Sequence, residues 1–299
     1  MGRRYDSVSF LTDWGLVDEF VGVVKSVIRD LAPHVTVTDL THGIEMFDVR
    51  AGSLTLARSI SYLPAGIVLA VVDPGVGSSR KAVAIEVADG EGVLVGPDNG
   101  LLAPAVAMAG GAGRAVVLTN PDFQFVAPGG TFAGRDIFAP AAAHLCNGVD
   151  LYELGDPIDA DELLPGVVPL PRYEADAILA DVLWVDHFGN CQLNLGPDEV
   201  EGWGDKLRVE VGGSPGVDGT VRIATLGTNY AELGPGAIGL VPDSCGMLAL
   251  VLDRRSAAAE LGLGPADAVV LRRLDGANGA GGAAGVTSPV TLRAIRPPQ

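Results

Sequence analysis

Side chains able to hold a small polar molecule stand just beyond three apolar runs. Asp13 follows Val8–Leu11, Asp73 follows Ile67–Val72, and the pair Asp98-Asn99 follows Val93–Val95. A single Asp in such a place is usually a turn former or a helix cap. Three in equivalent places favour a site, because ligands in open α/β sheets bind beyond the carboxyl ends of the strands. Asp73 and Arg80 bracket the turn Asp73-Pro74-Gly75-Val76-Gly77-Ser78-Ser79-Arg80. A guanidinium beside a carboxylate keeps it ionised and fixes its orientation, so the pair could hold a water or hydroxide. A purely structural ion pair is the alternative. A third run, Thr131-Phe132-Ala133-Gly134-Arg135-Asp136-Ile137-Phe138-Ala139-Pro140, leads into a helix. Asp136 is expected to cap it and Pro140 to sit in its first turn. Ile137, Phe138, Ala141 and Leu145 would form its buried face. Gly129-Gly130 and Ala133-Gly134 would let backbone approach a neighbour closely.

Other chemistries lack their signatures. His34, His42, His144 and His187 have no metal-ligand spacing, and the three cysteines, Cys146, Cys191 and Cys245, lie far apart, so no metal site is expected. They read as buried apolar residues in a reducing compartment. No phosphate-binding Gly-x-x-x-x-Gly-Lys-Ser/Thr run occurs. The 299 residues carry 37 acidic and 20 basic side chains, a net charge of −17, which argues against nucleic-acid and anionic-membrane partners. With no run of 18 apolar residues and no amino-terminal signal pattern, the expected location is the cytoplasm.

Periodicity supplies the elements that must position these groups. Strands are expected at Val8–Leu11, Val35–Leu40, Ile67–Val72, Ala82–Val87, Val93–Val95 and Ala115–Leu118. One helix presents Phe20, Val24, Val27, Ile28 and Leu31 on one face; another, capped by Asp48, presents Ala51, Leu54, Ala57 and Ser61. Strands alternating with helices predict a doubly wound α/β domain over residues 1–165. The proline-rich stretch Leu163–Arg172 reads as a linker. Beyond it, short β segments (Ala177–Val185, Leu207–Val211, Val221–Ala224, Ala237–Pro242, Met247–Leu252, Ala268–Arg272) predict a smaller β-barrel-like domain over 173–299. Gly276–Gly285 reads as a loop and Val290–Ile295 as a last strand.

The three motifs, in this order, resemble those of the S-adenosylmethionine (SAM) hydroxide adenosyltransferases. These are adenosine-forming SAM hydrolases related to SAM-dependent fluorinases and chlorinases. The resemblance runs across nearly the whole chain. It implies that Asp73 and Arg80 belong to an Asp–Arg–His set that positions the attacking water. Halogenases replace that Asp, so Asp73 favours the hydrolase branch. It further implies that Asp13 takes both ribose hydroxyls and that Phe47 stacks on adenine. Within Asp186-His187-Phe188-Gly189-Asn190, Asp186 would meet the methionine ammonium and Asn190 the adenine edge. Ser244 and Arg254 match motifs that complete the pocket. The family's histidine position is Ala133 here. Its neighbours keep the hydrolase pattern, which favours an introduced His-to-Ala replacement over a natural alanine. The implied reaction releases adenosine and methionine from SAM, impaired by Ala133, with SAM as substrate and no further cofactor. A homotrimer with its pocket between neighbouring subunits is implied too. The alternatives are a SAM-dependent halogenase, with a halide in the Ala133-Gly134 space, and a non-catalytic SAM- or adenosine-binding protein.

Overall fold

The chain divides into two compact units, Met1–Val168 and Pro169–Gln299. The computed structural model describes residues 4–212 and 219–274. The loop expected at 276–285 and the strand expected at 290–295 lie outside the described residues.

The first unit runs β1 (Ser7–Thr12), α1 (Phe20–Leu31), β2 (Thr36–Thr41), α2 (Val49–Ser59), β3 (Gly66–Val71), β4 (Ala82–Val87), β5 (Gly92–Pro97), α3 (Ala103–Met108), β6 (Ala112–Val117), α4 (Ala139–Cys146) and β7 (Asp156–Pro157). The strands form one sheet in the order β2-β1-β3-β5-β4-β6-β7. The doubly wound expectation holds. On β3, Ile67, Leu69 and Val71 enter the core shared with α1 and α4, whereas Val68 and Ala70 enter the opposite core, which includes Leu56 of α2 and Val106 of α3. A strand buried on both faces reads as an unbroken apolar run because its side chains alternate between two cores. The sheet is mixed: β1, β2, β3 and β5 are parallel, and β4 runs antiparallel between β5 and β6.

The helices follow their caps and faces, with two corrections. Val21, Val24 and Ile28 bury one side of α1. Asp48 accepts the Ala51 N–H at 2.8 Å and caps α2, as expected. The buried side of α2 is Gly52, Ser53, Leu54 and Leu56, not the face through Ala51, Ala57 and Ser61. Gly52 decides this, since a Cβ there would lie 2.8 Å from Leu101 and 3.0 Å from Val72. The second correction concerns Asp136. A π-helical turn, Gly134–Phe138, precedes α4, so Asp136 lies inside a helical segment instead of capping one. Its carboxylate is taken by Arg135, at 2.6 Å from Nε and 2.9 Å from Nη2. Pro140 does fall in the first turn of α4, where its missing N–H costs little.

The second unit comprises β8 (Arg172–Tyr173), β9 (Ala177–Val185), β10 (Cys191–Leu193), β11 (Lys206–Val211), β12 (Thr220–Leu226), β13 (Ile238–Pro242), β14 (Leu248–Leu252), α5 (Ala257–Leu261) and β15 (Ala268–Arg273). The order β10-β14-β13-β12-β11-β15-β9 closes through β9–β10 pairing into a seven-stranded barrel, with β8 attached outside β9. Closure satisfies the backbone groups that an open sheet leaves at its edges. Val182, Leu193, Leu207, Val209, Leu240, Leu250 and Leu271 fill its interior.

Candidate active site

Strand order places the first unit's candidates. From β1 the chain passes through α1 to β2 on one side, then through α2 to β3 on the other. The carboxyl ends of β1 and β3 are therefore the switch point at which doubly wound sheets bind ligands. Asp13 follows β1 directly, and Asp73 comes two residues after β3 ends. Asp98 does not join them. Its Oδ1 accepts the Leu164 N–H at 2.8 Å, and Asn99 Nδ2 donates to the Val72 carbonyl at 2.9 Å. The expected cluster of strand-end carboxylates thus shrinks to Asp13 and Asp73, with Asn99 bracing the chain just before Asp73.

Asp73 and Arg80 pair as their spacing suggested. Arg80 Nε lies 2.9 Å from both Asp73 oxygens and Nη2 lies 2.5 Å from Oδ2. Both side chains are well shielded, at 6% exposure for Asp73 and 13% for Arg80. A near-planar fork on a carboxylate holds it more rigidly than a point charge would. The guanidinium also lies 5.2 Å from the centre of the Phe138 ring, tying the pair to the π-helical turn.

Asp73 opens onto a cavity of about 110 Å3 walled by Trp14, Phe20, Val76, Phe132, Ala133 and Gly134, among others. That is room for several waters, at roughly 10–15 Å3 each. Trp14, Phe20 and Phe132 meet edge to face, with centroids 5.1–6.2 Å apart. A Cβ on Gly134 would lie 2.4 Å from the Trp14 ring, so this glycine is where backbone and aromatic wall meet; Gly129 and Gly130 face open space. The aromatic wall escaped the sequence reading, although Trp14 adjoins Asp13 and Phe132 adjoins Ala133.

Asp13 and Phe47 are also brought together. Asp13 Oδ2 accepts the Phe47 N–H at 2.9 Å. Phe47 is 68% exposed and has φ of 67°. An exposed aromatic in the left-handed region is costly in isolation, and at this exposure Phe47 is no core residue.

In the second unit, Asp186, Asn190 and Arg254 share a hollow of about 570 Å3 with Phe188, Tyr230 and Ser256. Asp186 Oδ1 accepts the N–H groups of Phe188 and Asn190 at 2.9 and 2.8 Å, and Oδ2 accepts Asn190 Nδ2 at 2.8 Å. Three of about four acceptor positions are used, leaving one for a further donor. Gly189 is obligatory here: φ is 83°, and a Cβ would meet Ser256 Oγ at 2.0 Å. Burial, then the charges of Asp186 and Asp243, push the Tyr230 phenol up and keep it neutral. Arg254 is 92% exposed at its side chain. Ser244 is exposed in the turn after Asp243 and does not line this hollow. Cys245 is exposed, contrary to expectation; Cys146 and Cys191 are buried. Among the described residues no group of three or more His, Cys, Asp or Glu is placed to hold a metal, and no helix is long and apolar enough to cross a membrane.

A doubly wound sheet with a shielded carboxylate–guanidinium pair at its switch point, followed by a closed barrel with a polar and aromatic hollow, defines a two-unit protein, α/β and then all-β, with a candidate polar site in each unit. The chain belongs to the SAM hydroxide adenosyltransferase family: residues 8–155 match the model of its N-terminal domain and residues 180–270 that of its C-terminal domain. It is 44% identical to a "(R)-S-adenosyl-L-methionine hydrolase" of Salinispora tropica, over 87% of this chain and 95% of that protein. It is 39% identical to one of Thermus thermophilus, over 86% and 95%. A fluorinase of Nocardia brasiliensis is a more distant relative at 28% identity over 71% of this chain and 79% of that one. A solved structure of an uncharacterized conserved protein from Thermotoga maritima superposes with a TM-score of 0.79 at 33% identity, covering 89% of this chain and all (100%) of that chain.

Proposed function

We propose that the chain hydrolyses SAM to adenosine and L-methionine by attack of water on C5′. The observation that carries this reading is the Asp73–Arg80 pair opening onto the small cavity beside Ala133. The sulfonium sulfur is already a good leaving group, so no acid has to protonate it. As the O–C5′ bond forms, the C5′–S bond breaks and its electron pair stays on sulfur as the methionine thioether. The water's proton passes to a base or to solvent. The protein's task is to hold one partly desolvated water in line with C5′–S. Asp73, fixed by Arg80, accepts a hydrogen bond from that water. Asp13 takes the ribose hydroxyls and Phe47 stacks on adenine. Asp186, Asn190 and Arg254 bind the rest of the substrate; Ser244, outside their hollow, has only the family resemblance behind it. Ala133 supplies no base, so turnover is slow.

Two further assignments rest on the same reading: a homotrimer, and a cytoplasmic location consistent with three free cysteines. The decisive experiment is a chromatogram of SAM incubated with the pure protein, with and without chloride. Adenosine and methionine support the proposal. A 5′-halo nucleoside identifies a halogenase, and tight SAM binding without product identifies a binding protein. A monomeric mass by light scattering would remove the trimer.

A further inference from the structure

We propose that His42 is a positioning residue that holds the Asp13 loop in its ligand-binding form through a buried relay to Thr12. The proposal rests on the reading of Asp13 as the ribose ligand, and its test separates the two.

The relay begins in the strands. The register between β1 and β2 pairs Phe10 with Asp39 but Leu11 with Thr41, so the chain bulges at Leu40. Bulges re-aim the side chains that follow, and they are common beside active sites. The bulge puts His42 against the end of β1. Thr12 Oγ1 and His42 Nδ1 are 2.8 Å apart. Thr12 is fully buried, at 0% exposure, and the His42 side chain is 2% exposed. The His42 carbonyl accepts the Gly15 N–H at 2.8 Å. One residue therefore ties down both ends of the segment Thr12-Asp13-Trp14-Gly15, by its ring at Thr12 and its backbone at Gly15. The Phe10 ring meets the imidazole edge to face, with centroids 4.8 Å apart.

The hydrogen-bond network assigns the proton positions. Trp14 N–H donates to Thr12 Oγ1 at 3.2 Å. We assign the Thr12 hydroxyl proton to Nδ1, which is then the bare ring nitrogen. Its proton sits on Nε2, 3.1 Å from Asp39 Oδ1 and off the line of a well-aligned hydrogen bond. Lys25 Nζ, 2.6 Å from Asp39 Oδ2, holds that carboxylate in turn. Burial alone would raise the Asp39 carboxyl, but the hydrogen bond from Lys25 and the nearby His42 ring outweigh it and hold the carboxyl low. The reverse tautomer would leave the buried Thr12 hydroxyl proton with no acceptor among the described residues, a costly arrangement. The relay thus has one direction: Trp14 to Thr12 to His42, with Asp39 fixing the ring. Its product is a loop in which Asp13 Oδ2 reaches the Phe47 N–H while Oδ1 has no hydrogen bond among the described residues.

The test compares adenosine with 2′,3′-dideoxyadenosine, which lacks the diol, by calorimetry on the full chain. The unaltered protein is expected to prefer adenosine. His42→Leu removes both ring contacts and should lower the preference by about five- to tenfold, the worth of roughly one hydrogen bond, while dideoxyadenosine affinity stays unchanged. Thr12→Val should give the same loss with His42 intact, and it serves if His42→Leu fails to fold. His42→Asn, whose side-chain oxygen can replace Nδ1 as acceptor, should restore most of the preference. A general loss of structure would lower both affinities together and would not be reversed by Asn. Full retention of the preference in His42→Leu or Thr12→Val overturns the positioning role. Equal binding of the two nucleosides by the unaltered protein instead overturns the ribose assignment of Asp13, and the proposal with it.

Discussion

Gly134 occupies a place that a larger residue cannot share with Trp14, because an added Cβ would lie 2.4 Å from the indole. Phe20 and Phe132 flank that indole edge to face, so moving it would disturb both contacts. Gly134→Ala is therefore expected to cost about 1–3 kcal/mol of stability, the usual range for overpacking, read from denaturant unfolding. Ala133, next to it, is 6% exposed and lines the same cavity. Ala133→His is expected to raise single-turnover conversion of SAM to adenosine at least about tenfold, the low end of what a general base contributes. Added imidazole should raise the rate of the unaltered protein saturably and leave Ala133→His unaffected. Equal rates for the two forms would deny this position a catalytic role. Simple repulsion of a halide by Asp73 would be weak, since Arg80 pairs with that carboxylate. An ionised carboxylate, however, offers only acceptors; water can donate to it and a halide cannot. At this scale the Asp73–Arg80 pair was legible because both partners lie in one short turn. The Trp14–Phe20–Phe132 wall was not, because Phe132 reaches the other two only through the packing of α1 against α4 and the turn before it.

Asp150, which opens the turn Leu151–Glu153, shows how an element end answers to pH. It accepts the Tyr152 N–H at 3.1 Å, Glu153 returns a bond to its backbone, and Arg114 Nη1 lies 3.1 Å from its carboxylate. The backbone bond from Tyr152 is the largest influence, burial opposes it, and Arg114 adds to it; together they lower the carboxyl from 3.8. A carboxyl lowered in the native state adds stability above its unfolded value and loses it as pH falls through the native one. Asp150→Asn should therefore reduce the thermal midpoint at neutral pH, and the difference from the unaltered protein should shrink as pH drops below 3.8. A gap that persists undiminished in acid would assign the effect to packing. Elements themselves were largely legible. Three-to-four spacing of apolar residues marked α1, and unbroken apolar runs marked β3. β10 was missed, having only three residues between turn signals. The antiparallel course of β4 leaves no trace in composition, because strand direction depends on the connection and not on which residues are buried. Asp136 misled because a cap and an intrahelical ion pair ask for the same residue type.

Across the whole molecule, separate apolar interiors account for the change of pattern along the chain. Two lie on opposite faces of the first unit's sheet and another inside the barrel. The alternation of strand and helix, then the succession of short strands, carried that division. Closure of the barrel through β9 and β10 could not be read, since β10, the strand that completes it, was not expected. The cysteines bear a consequence of this packing. Cys146 is sealed in the first unit and Cys191 in the barrel, with both thiols pushed up to about 12, chiefly by burial. Cys245 alone is exposed, in the turn that Asp243 organises by accepting the N–H groups of Cys245 and Met247 at 2.8 and 3.0 Å. Thiolates are the reactive form, so a maleimide at neutral pH should add one mass increment to the native chain and three, one for each cysteine, after denaturation. The fold thus provides a single address for a fluorophore or spin label, one turn from a strand of the barrel, without any cysteine having to be added or removed.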